Sequence, residues 1–170
     1  MAGTGRPPAW AIVGTIVFVC VVPGTALVAM PWWISGWRLA PPLVGTNLTR
    51  VVGVLLVAAA APVFVSFLAR FVVEGHGTPA PIAPTRHLVV GGPFRWTRNP
   101  GYVAVVAMVV GQGLFLGSVG VLVYAALLAA AFHLFVVFYE EPTLLRTFGE
   151  EYAGYCRRVP RWVPRRPGAE

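Results

Sequence analysis

The charged residues of this chain leave three long apolar runs between them. No charge occurs at positions 7–37, 51–69 or 99–139. A membrane crossing takes about 20 apolar residues at about 1.5 Å rise each. The first run predicts a helix over 10–30 that ends at Trp32, Trp33 and Trp37, the kind of aromatic group that sits at headgroup level. It exceeds the apolar core of a cleavable signal, about 7–15 residues, and no clean small-x-small site follows, so a retained helix is expected. The second predicts a helix over 51–73, with Pro62 inside and Arg70 near its end. The third is twice one crossing and breaks at Gly117-Ser118-Val119-Gly120, which predicts a hairpin of helices 102–116 and 119–139. The expected fold is an all-α integral membrane protein with four transmembrane helices.

Two segments lie outside these runs. Residues 74–87 are rich in Pro and Gly and read as irregular structure. Over 143–155, Leu144, Leu145, Phe148, Tyr152 and Tyr155 recur at three- and four-residue spacings. That predicts an amphipathic helix at the membrane interface, weakened by Gly149. Residues 1–170 then form a single membrane domain, divided into a two-helix region at 10–73 and a second region at 75–165.

Composition supports this reading. Hydrophobic residues are 57% and charged residues 11%, with a mean hydropathy of +0.73. A soluble domain carries about 25% charge, so a soluble enzyme, a disordered tail and a nucleic-acid-binding domain are excluded. The net charge of +7 comes from thirteen arginines and six glutamates. With the N-terminus inside, eleven arginines fall on the cytoplasmic side and Arg38 and Arg50 outside. The positive-inside rule therefore places both termini in the cytoplasm, with the cell (plasma) membrane as the expected location. The tail Arg157, Arg158, Arg161, Arg165 and Arg166 is expected to touch anionic lipid. Cys20 and Cys156 form no disulfide or metal motif, and His76, His87 and His133 are too scattered for a zinc site.

Candidate chemistry collects at two places on that side. Glu140-Glu141 ends the last run, where helix carbonyls already carry partial negative charge. The pair is either a solvated helix end closed by Pro142 and neutralised by arginines, or a cation receptor at the membrane border. The string LVVGGPFRWTRNPGY at 88–102 is either a juxtamembrane anchor or an anion receptor. Pro100 suits a first helical turn and Asn99 a helix cap, with N–H groups and Arg98 beside it for a carboxylate. Together the two places suit a zwitterionic, amino-acid-like ligand.

The string LVVGGPFRWTRNPGYV and the block EEPTLLRTFGEEYAGYCRRVP at 140–160 resemble the isoprenylcysteine carboxyl methyltransferase family, and the paired Glu is shared with related membrane phospholipid methyltransferases. The resemblance covers about residues 75–165. It implies S-adenosylmethionine as methyl donor, bound by His87, Leu88, Val89, Phe94, Asn99, Pro100, Tyr102, Glu140 and Glu141. Phe94 stands where the family has Tyr, and Asn99 replaces its His, so no titratable base is supplied there. Arg98, Asn99 and Glu140 are the implied catalytic residues. Val136 occupies the position of the family's substrate arginine, leaving His133 as the nearby candidate for substrate binding. The implied substrate is a lipophilic or lipidated molecule, with no metal and no nucleic acid. It is expected to arrive sideways from the bilayer between the hairpin and the second span, where Gly111 and Gly113 permit close approach. A prenylcysteine carboxylate and a lipid amine or hydroxyl both fit. The rival readings are an NADPH-dependent membrane reductase of the sterol reductase type and a non-enzymatic membrane protein.

Overall fold

The computed structural model describes residues 21–73 and 88–165, and among these every regular element is helical. Helix α1 is Val21–Ser35, α2 is Leu48–Val73, α3 is Pro100–Leu116 and α5 is Glu150–Arg158. Between the last two, Val119–Phe135 runs through a π turn, Val136–Glu140, into Glu141–Phe148. These form one 30-residue helix, α4. Two helices, α2 and α4, are long and apolar enough to cross a bilayer. Only 11% of the apolar window of α2 and 17% of that of α4 is buried. The core helix of a soluble protein is mostly covered, so these faces suit lipid. The other two predicted spans are shorter apolar helices, α1 and the 17-residue α3. The part of the first predicted span before Val21 lies outside the described residues.

The predicted hairpin forms where expected. Gly117 takes the left-handed conformation (φ +69°) that ends α3, and the Ser118 hydroxyl accepts the Val121 N–H to cap α4. Residues after α1 are tied to this tip, since Ala40 N–H donates to Leu116 O at 2.9 Å and Arg50 Nη2 donates to Ala40 O at 2.8 Å.

Helices α2 and α3 meet backbone to backbone. A Cβ built on Gly53 would lie 2.5 Å from Gly111 O, and one on Gly111 would lie 2.7 Å from Gly53 O. Small residues permit this approach in membrane helices. The seam where lipid access was expected is therefore closed at Gly111, and Gly113 packs on Leu122 instead.

A proline is accommodated in α1 by side chains from two other helices. Pro31 has no N–H to offer Leu27 O in α-helical register or Ala26 O in the π register of Thr25–Ala29. Gln112 Nε2 donates to Leu27 O at 3.0 Å and the Tyr124 hydroxyl donates to Ala26 O at 3.3 Å. In a bilayer no water would do so.

Pro142 does not close the last helix, as the sequence reading allowed. The π turn ends at Glu140, and Pro142 sits in the first turn of the continuing segment, where a missing N–H costs little.

Candidate functional site

The segment 88–99 enters extended and bends at Gly92 (φ +55°) into a single 3₁₀ turn, Gly92–Arg95. This turn drives Phe94 inward, where it is buried with its ring 5.9 Å from that of Phe67. Asn99 holds the N-cap position and Pro100 the first turn of α3. The Asn99 side chain does not cap the helix; its Nδ2 donates to Arg161 O at 3.1 Å.

That bond is one of several tying the chain's last segment over this loop. Arg98 N–H donates to Pro160 O at 2.9 Å and Arg165 N–H to Trp96 O at 3.0 Å. The Thr97 hydroxyl donates to Arg161 O at 2.9 Å, and the buried Tyr155 hydroxyl donates to Phe94 O at 2.7 Å. Helix α5 is aimed by Gly149 (φ +53°), which separates it from α4. Tyr152, Tyr155 and Val159 then form a small core with Leu88, Leu144 and Phe148. Leu145, placed on the same stripe by its spacing, is exposed. Burial pushes the Tyr152 and Tyr155 phenols well above the usual tyrosine range, so both remain neutral donors.

The two adjacent glutamates diverge. The Tyr102 hydroxyl donates to Glu140 Oε2 at 2.8 Å, and the Tyr102 ring packs on Phe132 at 4.6 Å. Glu140 Oε1 accepts no hydrogen bond from the described residues. Glu141 is held by two guanidiniums. Arg161 donates in a fork, Nε to Oε1 and Nη2 to Oε2, both at 2.8 Å, and Arg98 Nη1 lies 3.0 Å from Oε1. Arg98 Nη1 also donates to Cys156 Sγ at 2.7 Å, while Arg98 Nε is buried with no partner among the described residues. The carboxylate of Glu141 raises the Arg161 pKa further.

Of the residues singled out in the sequence, Phe94, Arg98, Asn99, Pro100, Tyr102, Glu140 and Glu141 come together at the arginine-rich end of the bundle. Leu88 contributes to the tail core and Val89 is buried beside it in the chain. His87 lies outside the described residues. His133 is exposed on α4 and accepts the Trp162 indole N–H at Nδ1, 3.1 Å away. Sequence reasoning missed Arg161, which it assigned to lipid, and Cys156, which it set aside. The position of Arg161 directly after the Arg-Val-Pro block was the available signal. Among the described residues, no three His, Cys, Asp or Glu side chains gather as a metal site would require.

No curated protein matches the chain. The sequence profile of the family described as phospholipid methyltransferase matches residues 48–151. That stretch takes in α2, the Gly92–Arg95 turn, Tyr102 and both glutamates, so the lipid-facing helices and the paired carboxylates fall inside one match. On this match, covering more than half of its length, the chain belongs to the phospholipid methyltransferase family.

Proposed function

We propose that this membrane protein transfers a methyl group from S-adenosylmethionine to a lipid acceptor, at the site formed by Glu140, Tyr102 and Arg98. The observation that carries this reading is a carboxylate with one oxygen held by the Tyr102 hydroxyl and the other accepting nothing from the described residues. The Nε of Arg98, buried and with no partner among the described residues, is a leftover donor on the neighbouring loop. A carboxylate acceptor and a guanidinium donor are what the ammonium and carboxylate of an amino-acid-like group require, so the residues present fit the cofactor.

When bound, S-adenosylmethionine supplies an electrophilic methyl on its sulfonium. The chain's own contribution is position and electrostatic setting. Glu140 binds cationic or hydroxyl groups through its available oxygen, and Tyr102 fixes that carboxylate's orientation. Glu141 and Arg161 hold the segment 159–165 across the loop and so keep Arg98 in place. A carboxylate acceptor needs no base, whereas an amine or hydroxyl acceptor would lose its proton to a group such as Glu140. Asn99 can donate or accept a hydrogen bond but cannot take up that proton. Four spans and cytoplasmic termini would put the site at the cytoplasmic face.

Titration of the detergent-purified protein with S-adenosylhomocysteine tests the reading, with Glu140→Ala alongside. Saturable binding that the substitution weakens at least tenfold is expected. No binding by folded wild-type protein, or equal binding by the variant, would overturn it.

A further inference from the structure

Tyrosines aside, Thr97 and Asn99 are the two buried polar residues among those described, at 4% and 6% exposure. Both aim at one atom. The Thr97 hydroxyl donates to Arg161 O at 2.9 Å and Asn99 Nδ2 to the same oxygen at 3.1 Å, which fills both lone pairs of that carbonyl. Because a carbonyl can only accept, the Asn99 amide must present its nitrogen here. The residue between them joins in, since the Arg98 N–H donates to Pro160 O at 2.9 Å. Three consecutive loop residues thus hold two consecutive residues of the tail. The Asn99 N–H, 3.4 Å from the Thr97 hydroxyl, ties the two side-chain donors to each other.

Arg161 is held from the other side as well, by the fork of its guanidinium on Glu141 of α4. One residue therefore carries a carbonyl fixed to the start of α3 and a side chain fixed to α4. The hairpin joins those helices covalently at Gly117-Ser118, about 25 Å away along the 17 residues of α3. At the open end, where Tyr102 of α3 meets Glu140 of α4, no short chain connection sets their register, and Arg161 bridges the two. Buried donors are costly to leave unpaired, so the loop holds the tail closed.

We infer that Asn99 is a positioning residue. Its side-chain N–H clasps the Arg161 carbonyl and, through Arg161, sets the start of α3 against α4, without touching the ligand of the site formed by Glu140, Tyr102 and Arg98. What position 99 requires is a nitrogen donor two bonds from Cβ, not a base. The clasp belongs to the ligand-free chain; only its effect on the ligand rests on the proposed methyl transfer.

Hydrogen exchange of the full chain in detergent without ligand, read by mass spectrometry over residues 96–99 and 159–165, reports the clasp directly. Asn99→Asp sets a carboxylate oxygen against the Arg161 carbonyl, acceptor against acceptor. Exchange of both segments should rise at least about tenfold, with the hairpin tip unchanged. Thr97→Val removes the other donor and should speed the same segments about threefold, and it carries the test if Asn99→Asp does not fold. Asn99→His restores a donor at Nδ1, which bears hydrogen in the charged form and in one neutral tautomer. Exchange should return to within about twofold of wild type, at about pH 6 and about pH 8 alike. Circular dichroism and monodisperse elution establish that each variant is folded.

Titration with S-adenosylhomocysteine then separates positioning from contact. Arg161→Ala releases the side-chain anchor of the tail. Asn99→Asp should weaken binding about tenfold in the wild-type background and less than about twofold in Arg161→Ala, as expected of residues acting through one bridge. Equal losses in both backgrounds would make Asn99 a direct contact and overturn the inference. So would wild-type exchange in Asn99→Asp and Thr97→Val, or failure of Asn99→His to restore it. Absence of binding by folded wild-type protein would overturn the proposed transfer instead, with the exchange results still deciding the clasp.

Discussion

Replacing Glu141 separates two roles that its position beside Glu140 would otherwise confuse. Both its oxygens are taken, by a forked Arg161 at 2.8 Å and by Arg98 at 3.0 Å. Side-chain exposures are 17% for Glu141, 12% for Arg98 and 35% for Arg161. Removing one partner of a fully buried pair costs about 3–5 kcal/mol. The half-open Arg161 end is screened by solvent, which brings the expected cost of Glu141→Gln down to about 2 kcal/mol. That cost falls on the segment 159–165 rather than on the helices, because the bonds to Arg161 anchor the tail. Opening of the tail should become easier by the same amount, about 30-fold in population, and tryptic cleavage at Arg157 and Arg158 should accelerate to match where it follows that population. Glu150→Gln is the control: its pair with Arg157 spans 3.8 Å at 70% and 91% exposure, and no change is expected. Wild-type cleavage of Glu141→Gln, or equally fast cleavage of Glu150→Gln, would refute the latch. If S-adenosylhomocysteine affinity falls in step with tail opening, Glu141 is a positioning residue; loss of affinity at an unchanged cleavage rate would make it a direct contact.

Three further outcomes follow from the same geometry. Tyr102→Phe removes the donor to Glu140 Oε2 but leaves the carboxylate, so S-adenosylhomocysteine affinity should fall by about 1 kcal/mol, less than in Glu140→Ala, in calorimetric titration. Gln112→Leu strips Leu27 O of its donor and should lower stability by about 1 kcal/mol; adding Pro31→Ala restores a backbone N–H, and thermal melts should show the double variant recovering most of the loss. The Tyr155 phenol is raised by burial, so its contribution is fully present below the unfolded tyrosine pKa of about 10 and is lost as pH rises beyond it; melting temperature should fall more steeply above that pH in wild type than in Tyr155→Phe.

What could be read from the sequence was what depends on sums or on local rules. Apolarity accumulated over a run needs no partner, and α2 and α4 appear where the runs lie. The hairpin at Gly117-Ser118 rests on a left-handed glycine and a serine cap, both properties of adjacent residues. Pro142 failed as a stop because that rule assumes regular α-helical bonding up to the proline, and the π turn Val136–Glu140 changes the register before it. Arg161 could not be assigned, since one arginine of a basic tail looks like the next until Gly149 turns α5 and brings the tail back over the loop. The divergence of Glu140 and Glu141 belongs to both kinds. Neighbours on a helix point about 100° apart, so two consecutive glutamates cannot share one partner on one side. Which of them meets Tyr102 of α3 and which meets the returning tail is decided by the rotation at which α4 arrives. The π turn, ending at Glu140 itself, helps set that rotation. Removing it should therefore exchange or abolish the two partnerships, a consequence no count of carboxylates along the chain would suggest.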